Sequence, residues 1–385
     1  MPDLSVRVFQ STDSGAPALS GTAGALITLL DACLVHGYAA GGATMTLDSL
    51  TVTDNVATAT KNPHGLTMLG AVGPVVRIAG ATPAALNGDW RVTVTGAATF
   101  TFATTGIADG TATGTITAKR APLGFSKAYA GTNKAAYQAD DLLSSRMFLR
   151  IDDAGISSAA AYARVVGYEA MTDIDAGTKP FPTEAQQSGG GYWHKSNAAN
   201  ATARPWMIVG DSQGFYLLVQ QDGSAANQIG MMFGDINSDH AGDAYRTLLV
   251  SGVNATASNG SSLQSFNSQS GHAMPRSYLG TGAAIQPIKY GAQLQAPGMG
   301  YAGATYPNPG NNAFLCSAVE VWDSASVARG TLPGLYAPLH PASSLTDHAL
   351  QTAIAGLPGR TLLVKRLVYG AAPYACAVDI TGPWR

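Results

Sequence analysis

The run from Arg204 to Val250 carries the clearest succession of apolar blocks and polar breaks in the chain. Trp206 to Val209 reads as an apolar strand, Gly210-Asp211-Ser212-Gln213-Gly214 as a turn cluster, and Phe215 to Gln220 as the returning strand. A second turn at Asp222-Gly223-Ser224 leads to a strand over Gln228 to Phe233, and Tyr245 to Ser251 adds a fourth. Short apolar runs rich in aromatic and branched residues, bounded by Gly, Asp and Ser, mark sheet strands. Neither strand of the first pair alternates cleanly, which predicts a sheet covered on both faces.

Upstream, Leu4 to Phe9 alternates as a strand does, and Ser11 to Pro17 reads as loop. Ser20 or Thr22 is placed to cap a helix over Ala23 to Val35, with Leu26, Leu29, Leu30, Cys33 and Leu34 on one face and Gly37 as its stop. At Gly41-Gly42 the pattern changes. Residues 43–118 are dense in Thr, Val, Ala and Gly, with short strands predicted at Met45 to Thr53, Val56 to Thr60, Val75 to Ile78, Asp89 to Val94, Thr99 to Ala103 and Thr113 to Ala118. Asp54-Asn55, Asn62-Pro63-His64-Gly65, Asn87-Gly88 and Asp109-Gly110 supply turns between them. This spacing predicts a small β-sandwich or barrel inserted into a parent domain that comprises residues 1–42 and 119–385. His64, in its Pro-His-Gly turn, is expected to be structural or solvent-exposed.

Beyond the insertion, strands are predicted at Tyr129 to Tyr137, Met147 to Asp152, Tyr162 to Glu169 and Tyr192 to Lys195, with loop from Thr178 to Gly191. Val253 to Gly310 is polar and rich in Gly, Ser, Asn and Pro; Phe314 to Trp322 is a strand; Ala328 to His340 reads as an extended, Pro-rich arm. Leu362 to Tyr369 and Tyr374 to Ile380 form a final antiparallel pair. The fold class is therefore mainly β: a β-sandwich-like parent domain with one N-terminal helix and an inserted small β-module.

Composition sharpens this. Charged residues make up 12% of the 385 residues, against about 25% in ordinary soluble domains. A surface of Ala, Gly, Ser, Thr and Asn suits a chain largely buried in an assembly, or one with a neutral β exterior, as in virus particles and extracellular fibres. A net charge of −2 gives no basic footprint for nucleic acid. No apolar run is long enough to span a membrane. The start at Met1 to Phe9 lacks a secretory profile, which predicts synthesis in a cytoplasm. Cys33, Cys316 and Cys376 lie far apart with no C-x-x-C and are expected to be core residues.

Candidate chemistry is sparse. Gly210-Asp211-Ser212-Gln213-Gly214 matches G-x-S-x-G, but a nucleophile elbow needs a helix after the serine and a strand follows here. Asp235-Ile-Asn237-Ser-Asp239-His240 begins like a calcium loop, yet His240 stands where the EF-hand needs Gly and Arg246 where it needs Glu. Asp152/Asp153 and Asp173/Asp175 are candidate carboxylate pairs, the first a poor one because neighbours on a strand face opposite ways. Trp193, Trp206 and Trp322 are candidates for a glycan-stacking platform, set against the more common core role of strand aromatics. No cofactor or metal ligand set is expected.

Several stretches carry a resemblance: Gly131-Thr-Asn-Lys-Ala-Ala-Tyr137, Phe148-Leu-Arg-Ile-Asp-Asp153, Ala163-Arg-Val-Val-Gly-Tyr-Glu-Ala-Met-Thr-Asp173, Tyr192-Trp-His-Lys-Ser196, Arg329-Gly-Thr-Leu-Pro-Gly-Leu-Tyr-Ala-Pro-Leu-His340 and the terminal Asp379-Ile-Thr-Gly-Pro-Trp-Arg385. The parent domain resembles a family of structural proteins encoded in the tail-tip and baseplate gene cluster of long-tailed, siphovirus-like bacteriophages. The insertion resembles the small β-modules that decorate phage virion proteins. The resemblance implies a place in the virion, at the tail tip, and no catalytic residues. The expected mode of action is assembly as a homo-oligomer, trimer or hexamer, on other tail proteins. Arms over about 253–310 and 328–345 order on neighbours, and the module faces outward, in reach of a host receptor. The competing expectation is a host-glycan binder, or an esterase using Ser212; an assembly chaperone is a third.

Overall fold

The computed structural model describes residues 3–154, 161–224, 228–255, 263, 269–291, 305–323, 327–369 and 372–385. The chain is mainly β, and its parent part is built as three packed layers. The middle layer is the sheet foreshadowed by Arg204 to Val250. Arg7–Gln10, Trp206–Asp211, Gly214–Gln220, Gln228–Asp235, Thr247–Val250 and His272–Ala273 lie side by side and antiparallel in that order. Successive side chains on a strand point to opposite faces, and both faces are apolar. Phe9, Ile208, Leu217 and Met231 are cross-strand neighbours in one core. Val209, Tyr216, Met232 and Val250 are neighbours in the other. Burial on both sides is what removes the polar alternation from these strands.

One face packs on a sheet of Phe125–Gly131, Lys134–Ala139, Phe148–Asp152, Tyr162–Asp173 and Ala176–Phe181, with Gly191–His194 paired alongside Tyr162. The expected strand over 129–137 is in fact a hairpin, because Asn133 turns the chain in the left-handed region at φ 53°. Ala176–Phe181 is a strand where loop was expected. The helix is shorter and starts later than its pattern suggests: Ala25–Leu30 is α-helical and Asp31–His36 continues as a π-turn, ending at Gly37 with φ 73°. Neither Ser20 nor Thr22 caps it; their hydroxyls bond each other at 2.8 Å. Asp153 takes the role, its Oδ2 accepting from the Leu26 N–H at 2.9 Å. Its other oxygen pairs with the buried Lys195 ammonium.

The other face packs on a C-terminal sheet of Ile288–Tyr290, Cys316–Trp322, Ala328–Pro338, Ala372–Asp379, Leu362–Tyr369 and Leu350–Gln351. One expectation fails here. The arm over 328–345 is not an arm: Ala328–Pro338 is an 11-residue strand flanked by partners on both sides, with Leu332, Leu335 and Ala337 in the core. Of the arm over 253–310, residues 256–262, 264–268 and 292–304 lie outside the described residues. Within the described parts, His272–Ala273 and Ile288–Tyr290 each extend one of the chain's sheets.

Gly334 shows how tightly this strand is held. It sits at φ 63°, and a Cβ there would lie 2.1 Å from Nε1 of Trp384, which donates to the Asp379 carbonyl at 2.9 Å. Gly334→Ala is expected to cost about 1–3 kcal/mol through this clash and the positive φ. A urea titration showing an unchanged midpoint would refute that.

Residues Ala39 to Ala118 own a separate core, including Leu50, Val52, Val76, Ile78, Phe100 and Phe102. It lies between a four-stranded and a five-stranded sheet. Asp54 and Asn55, at φ 50° and 61°, form the tight hairpin between Ser49–Thr53 and Val56–Thr60. His64 is buried and structural: Nε2 lies 2.8 Å from the Gly96 carbonyl oxygen and Nδ1 accepts from the Leu66 N–H. Arginines fasten this unit to the parent layers. Arg91 donates to the Asp3 and Val6 carbonyls, both at 2.7 Å, and Arg120 meets Asp13 at 2.7 Å with both side chains almost fully buried.

Candidate interaction surface

The tryptophans proposed as a glycan platform do not form one. Trp193 is fully buried, its indole N–H donating to the Val250 carbonyl at 3.0 Å, and Trp206 is 3% exposed and donates to Pro17. Both rings belong to the core between the central sheet and the helix-side sheet. Trp322 is half-buried on a different sheet, edge-on to Tyr290 and bonded to Glu320. Strand aromatics here are packing residues, as their apolar area favours.

Ser212 sits in the two-residue turn between Trp206–Asp211 and Gly214–Gln220, so a strand follows it and not a helix. Its hydroxyl donates to Asp141 Oδ2 at 2.6 Å. The calcium-like run is also occupied by its own chain. Asp235 pairs with Arg246 at 3.1 Å and Asp243 with Arg329 at 2.7 Å. Among the described residues no three His, Cys, Asp or Glu are placed to hold a metal ion. Asp152 and Asp153 do face apart, one toward Lys134 and Arg150 and the other toward Lys195, while Asp175 pairs with Lys134 and Arg150.

Of these polar residues, Ser212, Asp235 and Arg246 share one loop, residues 140–146. Asp141 is its anchor. Besides Ser212 it accepts from the Gln213 side chain at 3.1 Å and from the Leu143 N–H at 2.9 Å. Burial opposes the charged form of Asp141, but these three hydrogen bonds and the nearby Arg385 outweigh it and hold its pKa below the usual carboxylate range. The far side of the loop is tied to Asp235, which accepts from the Ser145 N–H at 2.7 Å and from the Ser145 hydroxyl at 2.5 Å. Arg246 donates to the Leu143 carbonyl. The C-terminal Arg385 closes the network, bonding Asp211 at 3.0 Å, Asn237 at 3.0 Å and the Asp235 carbonyl at 2.9 Å.

The loop so clamped presents two leucines to solvent. Leu142 is 80% and Leu143 76% exposed, the two most exposed large hydrophobic side chains among the described residues. Covering a leucine fully is worth about 1.5–3 kcal/mol. A loop whose backbone is already fixed surrenders little further entropy when a partner covers it. The sequence singled out Ser212 and missed these leucines, because a Leu-Leu pair in a polar loop gives no sign of which way it faces. A scan against protein-family models and a search of curated proteins both return no match to this chain.

Proposed function

We propose that the chain is a virion structural protein of a long-tailed bacteriophage, placed at the tail tip or baseplate, acting by subunit–subunit assembly. It is present in several copies, and its inserted β-module faces outward toward the host surface. Three things support this reading: the resemblance of the parent domain, the low charge of a chain of this size, and the clamped loop. The loop carries it. Two adjacent, solvent-exposed leucines on a rigid support are a contact waiting for a partner subunit, since an isolated protein gains nothing from that arrangement. The partner is a second copy of the chain or a neighbouring tail protein, and the test separates the two.

In this reading Ser212 makes no bonds in substrates. A serine nucleophile needs a base to take its proton, and the group that its hydroxyl meets is a carboxylate of lowered pKa, a poor proton acceptor. The serine and Asp141 hold the loop.

Phage carrying Leu142→Asp together with Leu143→Asp is expected to yield particles at least about tenfold depleted in this protein by mass spectrometry, as loss of two buried leucines implies. The purified variant should keep the wild-type unfolding midpoint, because both side chains already face water. Light scattering on wild type and variant then tells self-association from docking on another tail protein. Normal incorporation of the variant into infectious particles would remove the reading.

A further inference from the structure

The facing layers of the central and C-terminal sheets are apolar along most of their contact, with Val209, Tyr216 and Met232 against Leu363, Leu367 and Val378. At one end the pattern breaks. Gln10 lies opposite Met207, and Met207 opposite Leu218. Gln220, two residues past Leu218, shares its face and is paired with Gln228 on the next strand. From the other side, Lys365 takes the inward position between Leu363 and Leu367. With His348 these residues line a half-open cavity of about 180 Å³.

We propose that this cavity is a binding pocket for one neutral pyranose ring, such as a hexose unit of a glycan. Size is the first argument. A closed cavity of about 150 Å³ admits a benzene ring, so a six-membered ring with its hydroxyls reaching the open mouth fits here. The second is the lining. Among the described residues the side-chain amides of Gln10 and Gln220 have no hydrogen-bond partner in the protein, their bonds being made by the backbone. Each amide offers a donor and an acceptor side by side, which matches a vicinal pair of sugar hydroxyls. Met207, Leu218 and Pro205 supply an apolar wall for the C–H face of the ring. The third is charge. The Lys365 ammonium lies 3.0 Å from Asp347 and is compensated there. Burial, with Lys365 beside it, pushes His348 below its ordinary pKa and keeps it neutral at pH 7. A pocket without net charge has no reason to prefer an acidic sugar. It stands apart from the loop at residues 140–146, so it neither needs the assembly reading nor falls with it.

Ligand-observed saturation-transfer NMR on the full chain tests this, with D-glucose, D-galactose and N-acetyl-D-glucosamine as neutral probes and D-glucuronate as the acidic one. At least one neutral sugar should bind, with glucuronate weaker. Gln10→Ala and Gln220→Ala, both only partly buried and expected to fold with unchanged midpoints, should each weaken it roughly 3- to 10-fold, the effect of one lost hydrogen bond. Silence from every neutral sugar at tens of millimolar overturns the proposal. So does binding that both variants leave intact, or a preference for glucuronate.

Discussion

Asp243→Ala should lower the unfolding free energy by about 3–5 kcal/mol, the loss expected when one partner of a buried ion pair is removed. Asp243 and Arg329 have fully buried side chains and meet at 2.7 Å. The pair ties three segments together. Arg329, on the C-terminal sheet, also donates to the Arg276 carbonyl at 3.0 Å, and Asp243 accepts from the Ser238 hydroxyl and the Tyr245 N–H. With the carboxylate gone, a guanidinium is left in a dry site with only carbonyls for company, and its Nε already lacks a partner. Removing both charges together should be far milder. Asp243→Leu with Arg329→Met is expected to recover at least half of the loss, because apolar replacements need no desolvated charge to be matched. Urea unfolding of the three proteins decides it. A single variant within about 1 kcal/mol of wild type would show that water reaches the site.

The Asp243 carbonyl also accepts from Arg246 at 3.1 Å, and Arg246 holds the Leu143 carbonyl and Asp235. Loss of the pair is therefore transmitted to the loop at residues 140–146, where it should raise amide hydrogen exchange. Stability and the order of that loop are coupled through one arginine.

How far such features can be read from sequence depends on how local their causes are. The central strands were legible because their apolar runs are continuous and their turns carry Gly, Asp and Ser. The same continuity hid which face each tryptophan takes: with both faces buried, alternation no longer separates inside from outside. Ala328–Pro338 was misread because Pro333 and Gly334 demote a strand. In the structure both fall between Thr331 and Tyr336, where the pairing with Cys316–Trp322 shifts register and no ladder hydrogen bond is required of them. The helix start was misplaced because its capping carboxylate, Asp153, lies 127 residues from the amide it caps. The loop at 140–146 was invisible for the same reason. Its clamps come from Ser212, Asp235 and Arg246, between 71 and 103 residues away. The module at 43–118 was different at one point, since the hairpin at Asp54-Asn55 announces itself within two residues.

Acid should weaken the fold as pH falls below 6.5, and His194 is the reason. The ring is 1% exposed, packed between Tyr162 and Tyr192, with the Arg164 guanidinium over Tyr192 at 4.0 Å. Neither ring nitrogen has a well-aligned partner, and the adjacent Lys195 is turned away toward Asp153. Desolvation pushes the His194 pKa from 6.5 to about 4, and the backbone of Asn254 offsets only part of that. A lowered histidine pKa means that the unfolded chain takes up its proton first as pH falls. Stability contributed by the neutral ring is whole above pH 6.5 and is lost on the way down to pH 4. Over that window the loss amounts to about 3 kcal/mol, at about 1.4 kcal/mol per pH unit. His348, also lowered, adds to the slope, while Asp153, whose pKa burial raises despite Lys195, opposes it. Comparison with His194→Gln removes both complications, because they are common to the two proteins. The variant should be the less pH-sensitive by about 3 kcal/mol between pH 7 and pH 4, read from urea midpoints at each pH. Parallel curves for the two proteins would mean that the ring is charged in the folded state and that water or the Asn254 backbone solvates it.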